Sequence, residues 1–326
     1  ENHPNTQKNS WACYAAKAIA ETDSSVNFAA FDTDSNGKLS VSELQVIFLI
    51  AGGESATGLN SPGGVWAMAA SLLCDADEDG SIALYESGEH GITLDNVQLL
   101  GVNSSFWGQN GYSQFGELHR FGAGISHDAT IGVMAHELGH AYFDLPDLYD
   151  TTQASSGIGA FGLMGGGPWG IKTLNEKPGS TPVHLSAWSK EKLDVCNPQT
   201  VSSGVDNYTL PAVYQMIDNT SSCGIYKAST SNSGEYFLFE NRSAGGYDEG
   251  LNYLIYDNSS SQVVGTKYTG GLAVWHVYDN LSSCLASNNC MALTPPLVDL
   301  EEANDADLDN SPNNNGRTAH LFYSGN

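Results

Sequence analysis

Basic residues are scarce in this sequence. Its 326 residues include 12 Lys and Arg against 37 Asp and Glu, which gives a formal net charge of −25. Nucleic acid and anionic membrane surfaces are themselves negative, so they repel such a chain. The charge balance therefore argues against nucleic acid and membranes as partners. Bound calcium ions or a saline medium would offset part of the charge.

Long hydrophobic runs are also missing. A helix that crosses a bilayer needs about 20 apolar residues, and the longest runs, at 46–51 and 65–73, are much shorter. Hydrophobic residues still make up 40% of the chain and aromatic residues 10%, which is enough for a substantial core. The sequence predicts one large two-lobed enzyme domain or two ordinary domains, and we expect a monomer.

No cysteine lies in a Cys-x-x-Cys pair, so zinc-ribbon and redox motifs are absent. An even number of cysteines in a Lys-poor, Asn- and Ser-rich chain favours disulfides and a secreted protein. Free buried thiols are the alternative. Closeness in sequence favours three pairs, which are Cys13–Cys74, Cys196–Cys223 and Cys284–Cys290.

Hydrophobic patterning predicts an α+β fold. Residues 12–31 have helical character, and the β-branched run 46–50 predicts a buried strand. A further helix is expected over about 129–143, with Asp128 as its N-cap and Pro146 as its stop. Short strand-like runs dominate from residue 183 onward, among them 235–239 and 271–277. We expect two catalytic subdomains, residues 1–145 and 146–326, with the second rich in loops and strands.

The expected helix carries His136-Glu137-Leu138-Gly139-His140, which matches the zinc pattern H-E-x-x-H. Residues i and i+4 stand on one face of a helix, so both imidazoles can reach one ion. A catalytic Zn²⁺ has three protein ligands and one open position. Glu137 is placed to act as general base on the water that occupies that position. The alternative is an amphipathic helix with two ordinary surface histidines.

A third ligand has to come from nearby residues. Three aspartates follow the motif, Asp144, Asp147 and Asp150. Asp144 is still close to the helix axis, whereas Asp147 follows Pro146 and could turn back toward the metal.

The motif and the residues after it resemble the secreted metallopeptidases of the immune inhibitor A type. The resemblance begins with His-Glu-Leu-Gly-His followed by Leu145-Pro146-Asp147-Leu148-Tyr149-Asp150. Further stretches in the same order agree with it, namely Gly162-Leu163-Met164-Gly165-Gly166-Gly167-Pro168-Trp169, residues 184–190, Glu240-Asn241-Arg242 with Gly246-Tyr247-Asp248, and residues 270–277.

This resemblance implies a zincin fold related to the metzincins, with two lobes flanking an active-site helix. It also implies secretion as a zymogen and cleavage of proteins or peptides. It makes His136 and His140 zinc ligands, Glu137 the base, Asp147 the third ligand and Met164 a hydrophobic floor below the metal. Plain core packing is the alternative for Met164.

The chain departs from the metzincin pattern after the second histidine. That pattern has Gly three residues after this histidine and the last ligand six residues after it. Here Phe143 takes the Gly position, and Asp147 lies seven residues after His140. The apparent insertion of one residue keeps Asp144 as an alternative ligand.

Two acidic segments resemble twelve-residue EF-hand loops, which bind calcium through oxygen atoms. Segment 32–43 offers oxygens from Asp32, Asp34, Asn36, the Lys38 carbonyl and Glu43. Segment 75–86 offers Asp75, Asp77, Asp79, Ser81 and Glu86, with Ala83 where a side-chain oxygen is usual. We expect one or more structural calcium ions. Acidic turns without a metal are the alternative.

The sequence thus predicts a secreted zinc endopeptidase with one catalytic zinc ion. The first rival is a calcium-binding adhesion or structural module with an inactive zinc site, and it has to explain an intact Glu137. The second rival is another zinc hydrolase, such as an aminopeptidase.

Overall fold

The computed structural model describes residues 11–57, 64–72, 92–99, 111–120, 126–201, 207–216, 223–254, 268–279, 284, 289–304, 307–312 and 314–323. Its α-helices are α1 (Trp11–Ala20), α2 (Ile131–Ala141), α3 (Ala187–Lys192) and α4 (Asp307–Asn310). Its strands are β1 (Lys38–Leu39), β2 (Val46–Gly53), β3 (Met68–Ala70), β4 (Thr93–Leu94), β5 (Val97–Leu99), β6 (Tyr112–His119), β7 (His127–Asp128), β8 (Gln199–Thr200), β9 (Ile225–Ser229), β10 (Glu235–Asn241), β11 (Leu272–Tyr278) and β12 (Val298–Leu300). The mixed α+β class is confirmed.

The chain divides into two compact units. The first comprises 1–129 with 137–144, and the second comprises 130–136 with 145–326. Helix α2 therefore contributes residues to both units. The subdomains expected from the sequence, 1–145 and 146–326, stay a prediction.

The first unit contains two small sheets. One has the order β1-β5-β4, and the other has β6 between a parallel β2 and an antiparallel β3, with β7 also pairing with β6. Ala15 and Ile19 of α1 pack in a core with Phe28, Leu39 and Tyr112. Residues from both sheets thus pack against the apolar face of α1.

Two sequence expectations for this unit need correction. Helix α1 ends at Ala20 instead of continuing to residue 31, and a separate 3-10 helix covers Phe28–Phe31. Ser and Asp between them favour turns, because their side chains compete for backbone hydrogen bonds. The predicted strand at 46–50 is present as β2 but is only half buried. Ile47 and Leu49 are 42% and 62% exposed.

The second unit is built on a five-stranded sheet of order β12-β11-β10-β9-β8. The strands expected at 235–239 and 271–277 are confirmed as β10 and β11, which pair antiparallel. Alternate side chains of both strands point into the core. Leu238, Trp275 and Val277 pack there with Trp188 of α3. The same inner face also carries the charged side chain of Glu240.

Two of the three expected disulfides are confirmed. Cys196 pairs with Cys223 and Cys284 with Cys290, as closeness in sequence predicted. The third expected pair, Cys13–Cys74, involves Cys74, which lies outside the described residues.

Among the residues that the structure describes, no helix has the length and apolar character that crossing a membrane requires.

Replacing both Cys196 and Cys223 by Ala should lower the free energy of unfolding by about 3.5 kcal/mol, because the bridge closes a loop with a sequence separation of 27. Urea unfolding followed by fluorescence measures the loss. A midpoint equal to that of the wild type would show that this bridge contributes no stability.

Candidate metal centre and calcium loop

The helix that carries the zinc motif is held by close backbone contacts at its start. Thr130 donates its hydroxyl to the Pro178 carbonyl at 2.6 Å, and the Gly132 amide donates to Gly179 at 3.0 Å. A Cβ atom on Gly132 would lie 1.9 Å from the Pro168 carbonyl oxygen, so only glycine fits there. The predicted cap at Asp128 is wrong, because Asp128 belongs to β7 and α2 starts at Ile131.

His136, His140 and Asp147 offer ligand atoms that all lie within 4.8 Å of one another. The three residues are 8%, 7% and 5% exposed. His136 Nε2 lies 3.2 Å from Asp147 Oδ1. Two ligands of one tetrahedral zinc ion are about 3.4 Å apart, given bonds of about 2.0–2.2 Å. The spacing and the chemistry of these donors therefore fit a zinc ion.

The ring of His136 is oriented by a backbone carbonyl. Its Nδ1 lies 3.0 Å from the Leu163 oxygen, so it donates its proton there and leaves the Nε2 lone pair for a metal. Metal-bound histidines usually have such a partner on the second nitrogen, and it fixes both the tautomer and the ring orientation. The sequence alone did not reveal Leu163, because a backbone acceptor leaves no residue signature.

Asp144, the alternative third ligand, lies in the turn that follows helix α2. Its backbone adopts φ +54°, in the left-handed region, and its amide donates to the His140 carbonyl at 3.0 Å. A left-handed residue of this kind ends a helix, and Asp tolerates the conformation better than most residues. Phe143 is not among the residues with positive φ. The left-handed turn therefore lies at Asp144, one residue after the position of the glycine in the expected metzincin pattern.

The third candidate, Asp150, is engaged in a local turn. Its carboxylate accepts hydrogen bonds from Thr152, Ala154 and Ser155 at 2.6–3.4 Å. Burial alone would raise the pKa of Asp150, but these hydrogen bonds outweigh it and lower the pKa. Asp150 therefore stabilises the loop that follows the metal site.

The other predicted site residues lie close to these ligands in the sequence. Glu137 sits between the two histidines on α2 and is 8% exposed, and it is not part of the ligand group. Met164 directly follows Leu163 and is fully buried in the core of the second unit. Tyr149, which the sequence reasoning did not single out, stacks on His136 with ring centroids 6.2 Å apart.

The first predicted calcium loop brings its acidic side chains together. Carboxylate oxygens of Asp32, Asp34 and Glu43 lie within 4.8 Å of one another. Asp32 accepts from the amides of Asn36 and Gly37, and the Asn36 side chain accepts from the Lys38 amide.

Glu43 closes this loop. It accepts hydrogen bonds from the backbone amides and hydroxyls of Ser40 and Thr33, which lower its pKa to about 2. A carboxylate held ionised in this way is an oxygen donor suited to calcium. The second predicted loop, with Asp75, Asp77, Asp79, Ser81 and Glu86, lies outside the described residues.

Two imidazoles from a His-Glu-x-x-His helix and a carboxylate from the segment that follows it are a donor set typical of catalytic zinc sites. Residues 109–195, which include this set, match the family model for the catalytic domain of the immune inhibitor A peptidases, peptidase M6. The match confirms the resemblance seen in the sequence and supports a metallopeptidase that acts on proteins or peptides. No curated protein matches the chain at a significant level.

Replacing Asp147 by Asn should lower the affinity for zinc by more than about 100-fold, since a ligand should matter more than the groups that only orient ligands, whose loss costs about 10- to 100-fold. Asp144→Asn is the matched control, because Asn also adopts the left-handed conformation. It should bind zinc like the wild type. Competition with a chromophoric chelator measures both affinities. Loss of zinc in Asp144→Asn alone would identify Asp144 as the ligand.

Proposed function

We propose that this protein is a secreted zinc-dependent endopeptidase with His136, His140 and Asp147 as zinc ligands. One observation carries the proposal. A buried group of three suitable ligand atoms lies on and just after a His-Glu-x-x-His helix, inside the segment that matches a metallopeptidase family. Imidazole and carboxylate ligands in a three-residue set are typical of catalytic zinc.

The chemistry follows from the residues around the ligands. Zinc bound in such a site lowers the pKa of water and polarises the scissile carbonyl. Glu137 accepts the proton of the attacking water and passes it to the leaving amine. Its position between two ligands on one helix keeps the base next to the reacting atoms. Burial of the ligands limits competing water, which strengthens the electrostatic interactions that the reaction uses.

The finer parts of the proposal have different supports. A zincin fold related to the metzincins, with Met164 below the metal, rests on the family resemblance. The burial of Met164 and its place directly after the carbonyl that orients His136 agree with that role. Secretion agrees with the disulfides Cys196–Cys223 and Cys284–Cys290, since disulfides persist in oxidising compartments. Synthesis as a zymogen rests on the family resemblance.

We also propose that the loop 32–43 binds a structural calcium ion. Three carboxylates this close repel one another unless a cation joins them.

The rival hypothesis, a calcium-binding module with an inactive zinc site, is less favoured because the proposed base Glu137 is intact beside the buried ligands.

Replacing Glu137 by Ala should abolish hydrolysis while zinc stays bound, because the base is not a ligand. The expected loss of activity is at least about 10²- to 10⁴-fold, the usual contribution of a general base. Casein hydrolysis gives the rate, and metal analysis after dialysis gives the zinc content. Glu117→Ala removes an exposed carboxylate from β6 and serves as the control. Retained activity in Glu137→Ala would refute the assigned role.

Adding calcium to the metal-free protein should raise its melting temperature. Ligand at a hundred times its dissociation constant stabilises the folded state by about 2.7 kcal/mol. Glu43→Gln should lose most of this shift, whereas Glu21→Gln, which removes an exposed charge outside the loop, should keep it. Calorimetry over a calcium titration measures the three proteins. Equal shifts in wild type and Glu43→Gln would show that loop 32–43 is not the site.

A further inference from the structure

Residues 161–164, which we call the support loop, bond to both ligand-bearing segments in the second unit. The Leu163 carbonyl lies 3.0 Å from His136 Nδ1. The next carbonyl, that of Met164, accepts from the Leu148 amide at 2.8 Å, directly after Asp147. Consecutive peptide groups of one loop thus orient one proposed ligand and fix the neighbour of another.

The support loop is itself held by groups from distant parts of the chain. Arg242 Nη1 donates to the Phe161 carbonyl at 2.7 Å. The Leu163 amide donates to the His184 carbonyl at 3.1 Å. Arg242 is therefore the side chain that anchors the start of the loop, two residues before the carbonyl that orients His136.

Arg242 is fully buried and held on several sides. Its Nε and Nη2 donate to the two carboxylate oxygens of Asp248 at 2.7 and 2.6 Å. Its Nη1 also donates to Glu240 at 3.0 Å. Burial alone would lower the pKa of Arg242, but Asp248 and Glu240 outweigh it and raise the pKa. The guanidinium stays charged and has one orientation.

Glu240 links this arginine to a second cation. Its Oε2 accepts from Lys190 Nζ at 2.8 Å. Its Oε1, which accepts from Arg242, also accepts from the Trp275 indole at 3.0 Å. Two buried acids thus balance two cations in one network. Networks of this kind are often no more stabilising than hydrophobic residues of the same size. A role in positioning explains the arrangement better than stability does.

The side-chain chemistry of arginine suits that role. A planar guanidinium donates in fixed directions, so it can grip Asp248 with two bonds and still hold the Phe161 carbonyl. Lysine, with a single ammonium group on a flexible stem, cannot hold both in one geometry. We infer that Arg242 is a positioning residue for the metal centre, which fixes the support loop and through it the ring of His136. This inference rests on the proposed function.

The first test compares zinc affinities of two variants in the same network. Arg242→Lys keeps the buried charge but loses the planar guanidinium. Zinc should then bind roughly 10-fold more weakly, at the lower end of the effect of losing groups that orient metal ligands. Lys190→Met removes a largely buried cation that contacts Glu240, and it should bind zinc like the wild type. Thermal unfolding of the metal-free proteins reports how much stability each change removes.

The second test needs no metal. In the metal-free protein, hydrogen exchange at the amides of Leu148 and Leu163 reports how firmly the support loop is held. Arg242→Lys should speed exchange at both amides relative to Lys190→Met at matched stability. A wild type that fails to bind zinc would refute the proposed function. Hydrogen exchange would still show whether Arg242 holds the support loop in place.

Two outcomes would overturn the inference. Either Arg242→Lys and Lys190→Met lose zinc affinity in proportion to stability alone, or exchange at Leu148 and Leu163 is the same in both. If near-ultraviolet circular dichroism shows that Arg242→Lys does not fold, Asp248→Asn replaces it. Asparagine has the shape of aspartate but no charge, so it binds the Arg242 guanidinium less tightly. Zinc affinity and hydrogen exchange at Leu148 and Leu163 then decide.

Discussion

The proposed metal centre depends on one hydrogen bond, between the Nδ1 atom of His136 and the carbonyl of Leu163. An imidazole on a helix can rotate about two side-chain bonds, and either nitrogen can carry the proton. A fixed acceptor on one nitrogen removes both freedoms, and the other nitrogen is then ready for the metal. Because Asp147 Oδ1 lies 3.2 Å from that nitrogen, two proposed ligands share one location.

Local parts of the site could be predicted from the sequence. The spacing of His136 and His140 depends only on the helical repeat, and the structure places both on α2. The acidic side chains of 32–43 also meet as expected, since the loop is short and these residues lie close together in sequence. Both predictions needed no knowledge of distant contacts.

Parts that depend on turns or on distant residues could not be predicted. The sequence suggested Asp147 as third ligand only through the family resemblance and left Asp144 as an alternative, because nothing in it showed that the chain turns left-handed at Asp144. The support loop and Arg242 are brought together by a sheet whose strands are far from α2 in sequence. Expecting β2 to be buried failed for a related reason, because a hydrophobic run does not reveal which of its faces the fold covers.

The acidic composition and the buried network are connected by the same electrostatics. The chain has only 12 basic residues, yet two of them, Arg242 and Lys190, are buried or largely buried in the second unit. Inside, they pair with the buried carboxylates of Glu240 and Asp248, so they do not reduce the repulsion among the surface carboxylates, which opposes the compact state. Their burial therefore removes cations from where general stability would favour them. That placement is understandable if the buried arginine is needed to hold one loop in one geometry, and if metal ions such as calcium relieve the repulsion that remains outside.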